Sequence, residues 1–125
     1  MPARTPEESS ELFTDAVNRG DLDALIALYE PDAISQPPTP DPPVDNNAAR
    51  RALFEGMLGL HPKVDLQVIR TLTGKDIAQV CGSWTLEGAA PDGSQINMSG
   101  FYADVLRRQA DGTWLFVLDN PLSTS

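Results

Sequence analysis

Two aspartates and two tyrosines carry most of the chemistry this sequence offers. Asp104 lies inside "GFYADVLRR", a run that reads as a strand with an apolar middle. Asp119 closes "WLFVLDNP", the last strand-like run. Two readings are open for Asp104. It is either an acid that orients or protonates a ligand in a pocket, or a sheet-edge charge paired with Arg107 or Arg108. Asp119 is either a general base or ligand acceptor, or a strand-end cap before the turn at Pro121. Tyr29 and Tyr102 are hydrogen-bond donors for such a site or packing aromatics with satisfied hydroxyls. An acid held between Met98, Tyr102 and apolar helices loses hydration and stays neutral, which makes it a proton donor.

Other reactive groups are sparse. His61 is the only histidine and precedes Pro62 at a helix end, so no histidine pair with metal-ligand spacing exists. Cys81 is the only cysteine; it sits on a strand, excludes an internal disulfide and has no sequence neighbour that activates a thiolate. No Gly-rich dinucleotide loop, Walker loop or nucleophile elbow is present. No metal and no cofactor are therefore expected. Acid pairs such as Glu7/Glu8 and Asp21/Asp23 stand at helix starts, where the helix dipole favours them.

The elements that must position these residues follow from periodicity. Thr5-Pro6-Glu7-Glu8 predicts a capped first helix, with Leu12, Phe13, Ala16 and Val17 on its apolar face and Gly20 as terminator. Asp21 caps a second helix whose stripe is Leu22, Leu25, Ile26 and Tyr29, with Pro31 beyond its end. A short strand, Ala33–Ser35, runs into a stiff proline-rich loop, Gln36–Pro43, which by its position covers a pocket mouth. A third helix starts near Asp45–Asn47 and buries Leu53, Phe54, Met57 and Leu58. After His61-Pro62 the period becomes two. "KVDLQVIRTL", "DIAQVCGSWTLEG", "QINMSGFYADVLRR" and "WLFVLDNP" read as four strands, the last two joined by an Asp-Gly hairpin turn. Met98, Gly100, Tyr102, Asp104 and Leu106 share one face of the long strand, provided no bulge precedes Asp104. Trp84 shares a face with Val80, Gly82 and Leu86. The order α-α-β-α-β-β-β-β predicts an α+β fold, with helices on one face of a curved, mostly antiparallel sheet.

Size and charge narrow the partners. A chain of 125 residues fits one domain, 1–125, with 1–5 and 122–125 as flexible ends. Eighteen acids against nine bases give a formal net charge of −9, which argues against nucleic acid and anionic lipid as partners. The N-terminus has no apolar leader and no run approaches a membrane span, and with the single cysteine this fits a cytoplasmic protein.

"AVNRGDLDALIALYEPDAI" followed by "GFYADVLRRQADGTWLFVLDNP" resembles the SnoaL-like or ketosteroid-isomerase-like branch of the nuclear-transport-factor-like superfamily, from about Leu12 to Pro121. The resemblance implies a cone: three helices in the concavity of a strongly bent sheet, with an apolar pocket between them. It also implies a homodimer through the outer sheet face. Ketosteroid isomerases place a protonated aspartic acid, the position of Asp104 here, beside the substrate oxyanion. Their first-helix tyrosine and their base match Phe13 and Gln36-Pro37, which can do neither job. Steroid-isomerase chemistry in its usual form is thus excluded. The implied pocket lining is Phe13, Tyr29, Phe54, Leu58, Trp84, Met98 and Tyr102, with Asp104 and Asp119 as the acid–base candidates. Three functions compete: a binding domain for a small apolar, polyketide- or steroid-like ligand; a metal-free isomerase, cyclase or dehydratase; and a dimerising interaction module. A docking module would have its cavity filled by side chains.

Overall fold

In the computed structural model, which describes residues 2–123, eight elements follow in the expected order. Met1, Thr124 and Ser125, the outermost residues of the two expected flexible ends, lie outside the described residues. Helix α1 spans Glu8–Arg19. Its Thr5 signal acts on the turn before it: Thr5 Oγ1 accepts from Glu8 N at 3.3 Å, and Glu8 Oε1 accepts from Arg4 N at 3.2 Å. Gly20 ends α1 in the left-handed region at φ 70°, which costs little only without a Cβ. Asp21 then caps α2, Leu22–Ile26, by accepting from Ala24 N at 3.0 Å.

The second apolar stripe misplaces Tyr29. The chain leaves the helix after Ile26, and Tyr29 opens strand β1, Tyr29–Ser35. Pro31 is the physical reason: it biases Glu30 away from helical backbone and so favours an extended path. Phe116 N then donates to Leu28 O at 2.9 Å, which ties the segment to the sheet. Pro31 is tolerated because β1 is an edge strand, and its pairing is irregular between Tyr29 and Ile34. Helix α3, Asn47–Leu58, starts where Asn46 accepts from Ala49 N at 2.8 Å.

Strands β2 (Lys63–Thr73), β3 (Ile77–Ala89), β4 (Gln95–Arg108) and β5 (Trp114–Asp119) complete one sheet in the order β1-β5-β4-β3-β2. Only the β1–β5 pair is parallel. Register shifts at Val68/Arg70 in β2 and opposite Val105/Leu106 in β5 add one residue each to a strand, which bends a sheet and raises its twist. The curled inner face holds the helices around Val17, Leu25, Val80, Leu106 and Phe116. Asn18 fastens α1 to the edge of β2: its amide donates to Val64 O and accepts from Val64 N, as a neighbouring strand would. At the chain's start, Ala3 is buried and accepts from Trp114 N.

The β3–β4 ladder is unbroken from Ala89–Gln95 to Ile77–Arg107, so no bulge reverses the face of Asp104. Tyr102, Asp104 and Leu106 point inward and are buried. Gly82, opposite Tyr102, makes room for that ring. A Cβ there would lie 2.2 Å from Gln67 O and 2.7 Å from the ring.

Candidate functional site

Between helices and sheet lies a cavity of about 90 Å³. Its walls are almost wholly apolar. Phe13 comes from α1; Leu53, Phe54 and Met57 from α3; Val64 and Leu66 from β2; Trp84 and Leu86 from β3. The proline-rich loop contributes Gln36 and Pro38, and Pro121 follows β5 into the lining. Polar character is concentrated at one end, where Tyr102, Asp104 and Asp119 meet the space.

Asp119 reaches that end because of a bulge. A regular ladder continuing from Phe116–Leu106 would set Asp119 opposite Ala103, on the outer face. Leu118 instead pairs with Val105, leaving Val117 as the extra residue and turning Asp119 inward beside Asp104. The two carboxyl groups hydrogen-bond each other. Asp104 is 5% exposed, and its Oδ1 also accepts from Asn120 N at 3.1 Å. Asp119 Oδ2 accepts from the Tyr29 hydroxyl at 2.6 Å.

Electrostatics divides the pair. Burial pushes the Asp104 carboxyl well above the ordinary carboxylate range, and the charge of Asp119 pushes it further. Burial raises Asp119 too, and hydrogen bonds from Tyr29 and Asp104, together with the charge of Arg50, oppose that rise without cancelling it. Burial and the Asp119 charge hold the Tyr29 phenol well above its usual range, so it stays a donor. The resulting chain of contacts runs from the Tyr29 hydroxyl to the Asp119 carboxyl group to the Asp104 carboxyl group. A pair of this kind that holds one proton offers a ligand both a donor and an acceptor.

The sequence-predicted residues separate into groups. Phe13, Phe54, Trp84, Tyr102, Asp104 and Asp119 line the cavity. Tyr29 stands behind it, stacked on Phe116 at 4.9 Å between centroids and bonded to Asp119. Leu58 and Met98 pack against the core instead of the cavity. Arg107 and Arg108, offered as partners of Asp104, pair with Glu30 and Asp76. Phe13 meets Phe54 and Phe116 edge-on, and the Gln36 carboxamide donates to Pro37 O, Thr39 O and Asp41 O, which shapes the loop. Arg50 was not among the candidates, yet it is fully buried beside Tyr29. Its signal was its spacing: positions 50, 53, 54 and 57 form one helical stripe, so Arg50 stands on the face that Leu53, Phe54 and Met57 bury. Among the described residues, no group of three or more His, Cys, Asp or Glu side chains is arranged to hold a metal ion.

The SnoaL-like domain family matches residues 10–117. This chain belongs to the SnoaL-like family. Solved structures agree on the architecture of this SnoaL-like chain. A conserved protein from Planctomyces limnophilus matches with a TM-score of 0.84 at 15% identity, over 93% of this chain and 91% of that one. A ketosteroid isomerase-like protein from Erwinia carotovora atroseptica gives 0.79 at 19% identity, over 90% and 88%. An NTF-2 like protein from Shewanella oneidensis gives 0.74 at 16% identity, over 90% and 92%. At such identities the likeness establishes the fold of the SnoaL-like chain. No curated protein matches it.

Proposed function

We propose that the chain binds a small, mainly apolar, uncharged molecule and moves a proton on it, with Asp104 as acid and Asp119 as base. The observation that carries this reading is the hydrogen-bonded carboxyl pair at the single polar end of an otherwise apolar cavity. A carbonyl oxygen placed there accepts the Asp104 proton while Asp119 takes a proton from the adjacent carbon. The electron pair of that C–H bond moves toward the carbonyl, giving an enol. Where the ketone carries a β,γ C=C bond the enol is a dienol, and return of the proton from Asp119 to its γ-carbon, with the enol proton going back to Asp104, shifts the double bond into conjugation and restores the pair. With a β-hydroxyl on the ligand, Asp119 instead passes its proton to that hydroxyl, which leaves as water while the enol returns its proton to Asp104 and the C=C bond forms, making the same site a dehydratase. A ligand carboxylate is disfavoured, because a third acid in this low-dielectric space has no cation at contact.

Size constrains the ligand. A dry apolar cavity of about 150 Å³ takes up a benzene ring, and ordinary ligand pockets span ~300–1,000 Å³. At about 90 Å³ this cavity suits a few heavy atoms, and a fused-ring steroid needs the Pro38 loop or Met57 to move outward. Residues 1–125 act as one domain in this reading. Two copies associate through the outer sheet face, where Ile34, Leu72, Ile77, Phe101 and Leu118 are exposed. No helix among the described residues is long and apolar enough to cross a membrane, and the free Cys81 suits a reducing compartment such as the cytoplasm.

Exchange of ketone α-protons in D₂O tests the chemistry, with small cyclic and linear ketones as probes. The wild-type protein is expected to accelerate exchange and both Asp104→Asn and Asp119→Asn to abolish the acceleration. No acceleration by wild type removes the catalytic reading. Absence of any bound small molecule, by ligand-observed NMR and by native mass spectrometry of gently purified protein, removes the binding reading as well.

A further inference from the structure

Arg50 poses an energetic problem. Its guanidinium is fully buried, and among the described residues it joins no ion pair. Its hydrogen-bond acceptors are all neutral: Ser35 Oγ at 2.9 Å, Asn47 Oδ1 at 2.7 Å and Ala33 O. A cation taken out of water among neutral groups is costly unless an anion lies within reach of its field. The guanidinium carbon sits 4.9 Å from the centroid of the Tyr29 ring, a cation–π arrangement. The hydroxyl of that ring donates to Asp119. The charges that face Arg50 are therefore Asp119, reached across Tyr29, and Asp45 just before α3. Asp45 is exposed and its field is screened by water, whereas Asp119 acts through protein.

We infer that Arg50 is the positioning residue of the pocket: across the Tyr29 ring it supplies the counter-charge that keeps the Asp104–Asp119 pair at one shared proton, with the negative end on Asp119. The inference rests on the reading of that pair as the polar end of the binding cavity. The reason is electrostatic. Burial in an apolar cavity without a nearby cation drives two carboxyl groups toward holding two protons, and a pair in that state has no carboxylate left to take up another. One buried positive charge makes the singly protonated state the stable one, which is the state able to do both. The Tyr29 ring transmits this effect because the cation on its face and the anion at its hydroxyl each favour the other. Tyr102, whose phenol is bonded to Ser10, is the remaining titratable group near Asp104 and is neutral.

Carboxyl ¹³C NMR titration from about pH 3 to about pH 9 tests this directly, across the range where ordinary and raised carboxyls ionise. Signals are assigned with Asp104→Asn and Asp119→Asn. Wild type is expected to show one ionised and one protonated carboxyl at neutral pH. Arg50→Met is expected to raise the affinity of the pair for its second proton by about tenfold or more, and Arg50→Lys to restore most of the wild-type curve. A merely structural role predicts instead that Lys, which cannot make the same three bonds, titrates like Met. An Arg50→Met curve that overlays wild type overturns the inference. If Arg50→Met does not fold, the wild-type titration decides, since two protons on the pair at neutral pH overturn it. The readout uses neither ligand nor turnover, so its failure is distinct from failure of the proposed function.

Discussion

Asp104 shows how one carboxyl group separates stability from activity. Its protonation is favoured in the fold, so its contribution to stability is complete below the ordinary carboxylate range and is lost as pH rises through its raised folded value. Asparagine at this position keeps both contacts: its amide donates to Asp119 and its oxygen accepts from Asn120 N. Asp104→Asn should therefore gain stability relative to wild type as pH rises, measured by urea unfolding at about pH 5 and about pH 8. Proton-transfer activity should fall by about 10²–10⁴-fold. A variant that loses ground at alkaline pH would show that the wild-type carboxyl is ionised in the fold.

At the scale of elements, backbone irregularities place the chemistry. β4 presents Asp104 by simple alternation; the sequence grouped it with Tyr102 and Leu106 only on condition that no bulge preceded it, and the unbroken ladder with β3 supplies that condition. Asp119 was legible as a pocket candidate, but the device that turns it inward was not. Alternation from Phe116 sends it outward, and only the extra residue in β5 reverses it. The helix order and the Gly20–Asp21 junction were equally plain, since capping chemistry is local. Tyr29 was misplaced because its helical spacing competed with Pro31 and with pairing to β5, a tertiary effect. Arg50 was passed over because a cation on an apolar stripe is ordinarily read as a polar interruption. Close strand-to-ring contact makes a further demand at Gly82. Gly82→Ala should lower stability by about 1–3 kcal/mol or more in chemical denaturation, because its Cβ meets both Gln67 O and the Tyr102 ring.

For the molecule as a whole, only one face of the sheet is covered by its own helices, and the other mixes apolar side chains with polar ones such as Gln79, Ser83 and Arg107. Ile34, Leu72, Ile77, Phe101 and Leu118 stand on the other, on strands β1 to β5, in a chain that otherwise carries a net charge of −9. In the proposed dimer these side chains form the interface. Phe101→Asp combined with Leu72→Asp should convert a dimer to a monomer in sedimentation velocity while the circular dichroism spectrum is retained. A wild-type protein that already sediments as a monomer at high concentration removes the dimer.

Trp84 carries a practical consequence. Its indole lines the cavity and its N–H donates to Pro121 O at 2.9 Å, whereas Trp114 lies beside Ala3, outside the cavity wall. One of the two fluorophores in this chain is thus built into the binding wall. With Trp114 replaced by phenylalanine, emission from the remaining indole becomes an unlabelled optical gauge of whether the hollow is empty or filled.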